Sequence, residues 1–214
     1  MKVFVVAMEN HNWTQPNPTS SPQQIFKNPA APFINSLVDG SSGISDQVAY
    51  ATNYQNAGPG VHPSEPNYIW VEAGQDFGQT SDNDPYNNAT QCRRQTVQTT
   101  DQHLSAFLTK AGKTWKSYQE DVNVDLGSNV PLPMNSWTVP LFSHSGSFST
   151  GYNAYNHTKQ YNYASKHNPQ VFFVDTNGGC PASASQQYPP LQQLAFDLET
   201  DTVADYNWIT PNQE

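Results

Sequence analysis

The chain has 214 residues, 18 acidic against 9 basic, a formal net charge of −9 and two cysteines. That length suits one domain with a sizeable core, and the acidic balance argues against a nucleic-acid or anionic-membrane partner held by charge alone. Leu, Ile, Val and Phe total only 39, but 26 aromatic residues supply core area and the small net charge per residue excludes a disordered chain. Asn, Gln, Ser and Thr total 76, a surface more common on exported proteins. No stretch approaches the roughly 20 apolar residues needed to span a bilayer. Met1–Lys2 leads straight into a run too short for a signal-peptide core, so no signal peptide is expected in this sequence. Cys92 and Cys180 either pair or remain buried thiols; they form no CxxC metal spacing.

The first element is an apolar run, Val3 to Met8, expected as a strand buried on both faces. Glu9-Asn10-His11-Asn12 stops it and places four polar side chains beyond its carboxyl end. Gln15 to Gln24 reads as loop, Pro29 to Leu37 as a short helix and Ile44 to Tyr50 as a second strand. Gly58-Pro59-Gly60 turns the chain into His62-Pro63-Ser64-Glu65-Pro66-Asn67, and Tyr68 to Ala73 continues as a helix ended by Gly74. After a polar loop from Phe77 to Thr90, Asp101 to Ala111 is the clearest helix, with Leu104, Phe107 and Leu108 on one face. Thr114 to Tyr118 reads as a strand running into Gln119-Glu120-Asp121. Residues 123 to 165 show no usable periodicity and are expected as an insertion or substrate-facing cap. Val171 to Val174 is expected as another buried strand, Pro190 to Leu198 as a helix and Val203 to Ile209 as a final strand. Strands alternating with helices imply an α/β layered fold with a largely parallel sheet. In such sheets ligands sit outside the carboxyl ends of the strands, where several polar clusters fall here.

Three groups of residues could carry chemistry. Glu9 and Asn10, a carboxylate and an amide oxygen after a strand, suit a hard divalent cation or cap a following turn. Ser64, between two prolines at a helix start, is either a nucleophile aimed at a phosphoryl group or an N-cap serine. Of the histidines at 11, 62, 103, 144, 157 and 167, His62 and His167 are placed where they could contact a phosphoryl oxygen. HExxH, GxSxG, P-loop and GxGxxG patterns do not occur, which removes the zincin, α/β-hydrolase and nucleotide-binding readings.

Four segments in order change this weighting. Val3-Phe4-Val5-Val6-Ala7-Met8-Glu9-Asn10-His11 resembles the strand and M-E-N-H opening of the phosphoesterase family that includes bacterial acid phosphatases and non-haemolytic phospholipases C. That family belongs to the alkaline phosphatase superfamily. His62-Pro63-Ser64-Glu65-Pro66-Asn67-Tyr68 resembles its nucleophile motif, Lys166-His167-Asn168-Pro169 a third block, and Tyr206-Asn207-Trp208-Ile209-Thr210-Pro211 its late W-I-T-P strand.

The resemblance implies an alkaline-phosphatase-like α/β sandwich and metal-dependent hydrolysis of phosphoric esters, whether phosphate monoesters, phosphodiesters or phospholipids, through a phosphoserine. It implies Glu9, Asn10 and Ser64 as ligands of a divalent metal ion, with Ser64 as the nucleophile. Asn67 would support the turn that presents Ser64, and Asn83 and His167, with His62, would contact substrate. Family members are secreted or periplasmic. In the family, further acidic ligands follow the W-I-T-P strand, whereas this chain stops at Gln213-Glu214. Residues 1–214 are therefore expected to be one incomplete, C-terminally truncated phosphoesterase domain. Its last strand would leave a sheet edge open to self-association. The competing expectation is a catalytically inactive fragment or binding module of the same fold. An unrelated carbohydrate-binding module would be all-β, which conflicts with the helix at 101–111.

Overall fold

The structure, a computed structural model, describes residues 1–8, 13, 25–44, 47–51, 61–125, 130–131, 141–147, 160–181 and 185–212. In chain order its elements are β1 (Val3–Val6), α1 (Pro32–Asp39), α2 (Ser64–Ala73), α3 (Leu104–Lys110), β2 (Trp115–Gln119), β3 (Val124–Asp125), β4 (Val130–Pro131), β5 (His144–Ser147), β6 (Gln160–Tyr163), α4 (Gln193–Glu199) and β7 (Tyr206–Thr210). They fall into two compact units, one of Met1–Ala7 with Ala57–Glu214 and one of Met8–Asn56.

The larger unit is the mixed α/β structure that the alternation of elements implied. Its sheet is parallel, in the order β1-β7-β2, with Trp208 opposite Val5 on one side and Ser117 on the other. The final strand is thus the interior one, and the sheet edge expected there lies elsewhere. β2 is covered along its outer side by backbone bonds between Ser117 and Gln187 and between Gln119 and both Pro189 and Leu191. β1 has one neighbour, β7, among the described residues. Its side chains are not buried on both faces: Val3, Phe4 and Val6 are 39%, 41% and 58% exposed. An apolar run reports how hydrophobic a strand is, and which elements cover it is set by distant parts of the chain.

Other expectations also shift. Ile44–Tyr50 forms no strand among the described residues. Val171–Val174 is mostly a 3-10 turn, Pro169–Phe172, and only Phe173 makes a bridge, to Gln98. Pro169 supplies the fixed φ that opens such a turn, and a short buried apolar run does not distinguish strand from helix. The run is nevertheless core: Val171, Phe172 and Phe173 are fully buried with Ile69, Trp115, Leu141 and Tyr188. Within the region expected as an insertion, β3 pairs with β4 and β5 with β6, both antiparallel.

The buried face of the sheet is polar at its centre. The Thr210 hydroxyl donates to the His167 carbonyl at 3.0 Å and accepts from the Trp208 indole at 2.7 Å. Ser117 donates to Asn168 Oδ1, whose amide donates on to the Tyr163 hydroxyl. Asp197 of α4 accepts from Lys116 and Tyr118 of β2 and so holds that helix to the sheet. Each of these groups has a hydrogen-bond partner, which is what makes their burial tolerable.

Cys92 and Cys180 are joined as a disulfide across 88 residues of sequence. Closing a loop of that length removes much of the unfolded chain's freedom. The double variant Cys92→Ser/Cys180→Ser is expected to lose about 2–4 kcal/mol of stability, read from denaturant melts. The parent chain under reductant should match it.

In the smaller unit, α1 begins at Pro32 and ends at Gly40, which holds the left-handed φ of +88° that glycine adopts without a Cβ penalty. Asn35 organises the approach to it, accepting from the Lys27 amide and donating to the carbonyls of Ile25 and Ala31. The Trp13 ring packs on Phe26 and Tyr50, with centroids 5.1 and 5.7 Å apart.

Candidate active site

α2 carries the serine that the sequence singled out. Ser64 is its first residue, half-buried, and Pro66 lies in the first turn, where its missing N–H costs nothing. Gly74 ends the helix at φ +71°, and its N–H donates to the Trp70 carbonyl at 2.7 Å. Ile69, Glu72 and Pro66 form the buried face. Asn67 braces the approach, its amide donating to the Val61 carbonyl at 3.1 Å and the Pro63 carbonyl at 3.2 Å. That side chain is bound to the loop immediately before Ser64.

The motif segments, far apart in sequence, meet here. The Tyr68 ring lies 4.9 Å from the His167 ring and 6.0 Å from the Trp208 ring. α2, the Lys166-His167-Asn168-Pro169 segment and β7 therefore pack as one body. His167 is 2% exposed. His62 and Asn83 are exposed, and the Asn83 carbonyl accepts from the Thr96 hydroxyl at 3.1 Å. Glu9 and Asn10 lie outside the described residues.

The structure adds a charged cluster that sequence reading passed over. Glu65, next to Ser64, is fully buried. Burial pushes its pKa up to about 9; the nearby Asp82 and Asp84 carboxylates add to this, and Thr96 and Lys166 oppose it. The Glu65 backbone N–H donates to Asp82 Oδ1 at 3.0 Å, and Asp82 Oδ2 pairs with the Lys166 ammonium at 2.9 Å. Asp84 accepts from the Ser143 amide and the Ser165 hydroxyl. The only sequence signal was position: Glu65 inside the serine motif, Asp82 and Asp84 in the next loop, Lys166 in the third block.

At the far end of α2, Glu72 Oε1 meets His103 Nδ1 at 2.8 Å and accepts from the Ser105 amide, while His103 Nε2 meets Asp175 Oδ1 at 2.9 Å. The imidazole lies flat on Phe173, with centroids 4.0 Å apart. Burial alone would lower its pKa, but the two carboxylates outweigh it and hold the ring above its ordinary value.

Among the described residues no group of three or more His, Cys, Asp or Glu could hold a metal ion. Of the three oxygen donors expected for a cation, only Ser64 is described, so the described side chains do not by themselves make up a cation's coordination shell.

A model of the phosphoesterase family matches residues 2–214. A phosphatidylinositol-3-phosphatase of Mycobacterium tuberculosis (strain ATCC 25618 / H37Rv) is 32% identical over 177 residues, which cover 80% of this chain and 43% of that protein. The chain thus spans less than half the length of this relative. No solved structure matches it significantly.

Proposed function

Because the chain belongs to the Phosphoesterase family, we propose that it hydrolyses phosphate esters with Ser64 as nucleophile. The Ser64 oxygen attacks phosphorus, the ester P–O bond breaks, and the leaving oxygen takes up the equivalent of the proton that Ser64 gives up, departing as the alcohol. Water then cleaves the phosphoserine to phosphate and regenerates the hydroxyl. The observation that carries this reading is the placement of Ser64 as the half-buried first residue of a ten-residue helix. Asn67 holds the preceding turn. Exposed His62 and Asn83 are the groups we assign to substrate contact. For His167, burial and packing against the Tyr68 ring support a packing role.

Glu9, Asn10 and Ser64 are the oxygen donors we assign to a divalent cation, since hard oxygens suit such ions. When bound, the cation would lower the serine pKa and neutralise charge on the transferring group. The relative named as a phosphatidylinositol-3-phosphatase supports a phosphate ester on a lipid headgroup as the substrate class. The Cys92–Cys180 disulfide supports export to an oxidising compartment.

The test is hydrolysis of a chromogenic phosphate monoester and of phosphoinositide vesicles, first with chelator and then with added divalent metals. Ser64→Ala is expected to lose turnover by a factor of about 10³ or more. Equal turnover in parent and variant would overturn the assignment of the nucleophile.

A further inference from the structure

Lys166 and Asp82 form a half-exposed ion pair against the turn that carries Ser64. The ammonium lies 2.9 Å from Asp82 Oδ2, and the other oxygen of the same carboxylate accepts at 3.0 Å from the N–H of Glu65, the residue after Ser64. Side-chain exposure is 24% for Lys166 and 30% for Asp82, so solvent and solutes reach the pair. The pair is only partly buried, and its position beside the serine turn is the feature to be explained. The same cation acts on fully buried Glu65, on which the hydrogen-bonded Asp84 carboxylate acts too. An anion arriving at Ser64 would meet net negative charge unless a cation turned toward it. Lysine suits that role, being a compact point charge on a four-carbon stem that can leave one oxygen for another.

We infer that Lys166 binds the phosphoryl oxygens of an ester at Ser64, and that Asp82 is the positioning residue that holds its ammonium beside the first turn of α2. This rests on the assignment of Ser64 as nucleophile. A free phosphate and a phosphorylated headgroup offer the same oxygens, so both should engage the lysine.

Calorimetry with inorganic phosphate on the full chain, alongside KM and kcat for a monoester, tests the inference. Lys166→Gln is expected to weaken phosphate binding roughly tenfold and to raise KM by a similar factor, whereas Lys166→Arg keeps the charge and most of the binding. Asp82→Asn leaves an oxygen for the Glu65 amide but removes the charge that anchors the ammonium. It should weaken phosphate binding less than Lys166→Gln and have no further effect when Lys166 is already Gln. Ser64→Ala should lose turnover yet still bind phosphate. Phosphate affinity and KM within about twofold of the parent in a folded Lys166→Gln would overturn the inference, as would failure of the parent to bind phosphate. If Ser64→Ala loses turnover in that case, the nucleophile stands and only the lysine is removed; full turnover in Ser64→Ala overturns both.

Discussion

Replacing His103 with alanine is expected to destabilise the protein by about 3–5 kcal/mol, the range for removing one partner of a buried ion pair. The ring is 1% exposed, and it is the group that links Glu72 of α2, 31 residues before it, to Asp175, 72 residues after it. Without it, the Glu72 carboxylate keeps the Ser105 amide, while Glu72 Oε2 and the Ser105 hydroxyl already lack partners. The stacking on Phe173 is lost as well. A pH signature accompanies the effect. The folded imidazole has its pKa raised above the ordinary value of 6.5, so the folded state holds the proton more tightly than the unfolded state. The contribution is therefore complete below that ordinary value and is lost as pH rises through the raised one. Denaturant melts of parent and His103→Ala across that window provide the check. A loss below about 1 kcal/mol would show the network to be dispensable.

The second large effect concerns Glu65 and has the same sign. Its carboxyl is protonated in the folded chain up to about pH 9, against an ordinary value of 4.5. Between those values the unfolded chain releases a proton that the folded chain keeps, so stability falls by about 1.4 kcal/mol per pH unit as pH rises. Over that interval the decline amounts to several kcal/mol. Glu65→Gln has no proton to exchange, so its stability should be flat in this respect: close to the parent near pH 5 and clearly above it near pH 8.5. Unfolding midpoints at those two values decide the matter. A parent profile as flat as that of the variant would mean that Glu65 ionises in place, with water reaching a carboxyl that is closed off here.

What could be read from the sequence was local or repeated along short segments. Ser64 to Gly74 was legible as a helix because the Pro-Ser-x-Pro start and the glycine stop are chemical signals of a few residues. The strands that became β2 and β7 were legible as short runs of β-prone residues. Asp101 was expected to open α3, yet the helix starts at Leu104 and Asp101 pairs with Lys110 instead. A short acidic side chain can cap a helix or meet a lysine on it, and the sequence does not choose between them. Val171–Val174 failed for a related reason, since a buried turn and a buried strand call for the same apolar residues. Glu65 and His103 were passed over because a charged side chain in a sequence gives no indication that it is buried.

The α/β class, the family and the serine at the start of α2 are legible in the amino-acid order alone, because each is written in short segments whose residue types have few other uses. That β7 lies between β1 and β2 emerged only from the fold. The fold also joined Cys92 to Cys180 and packed Tyr68 against His167 and Trp208. Burial of Glu65 beside Asp82, Asp84 and Lys166 belongs to the same group. Each of these depends on pairs separated by tens to hundreds of residues, and the energies involved arise only when folding removes water from between them.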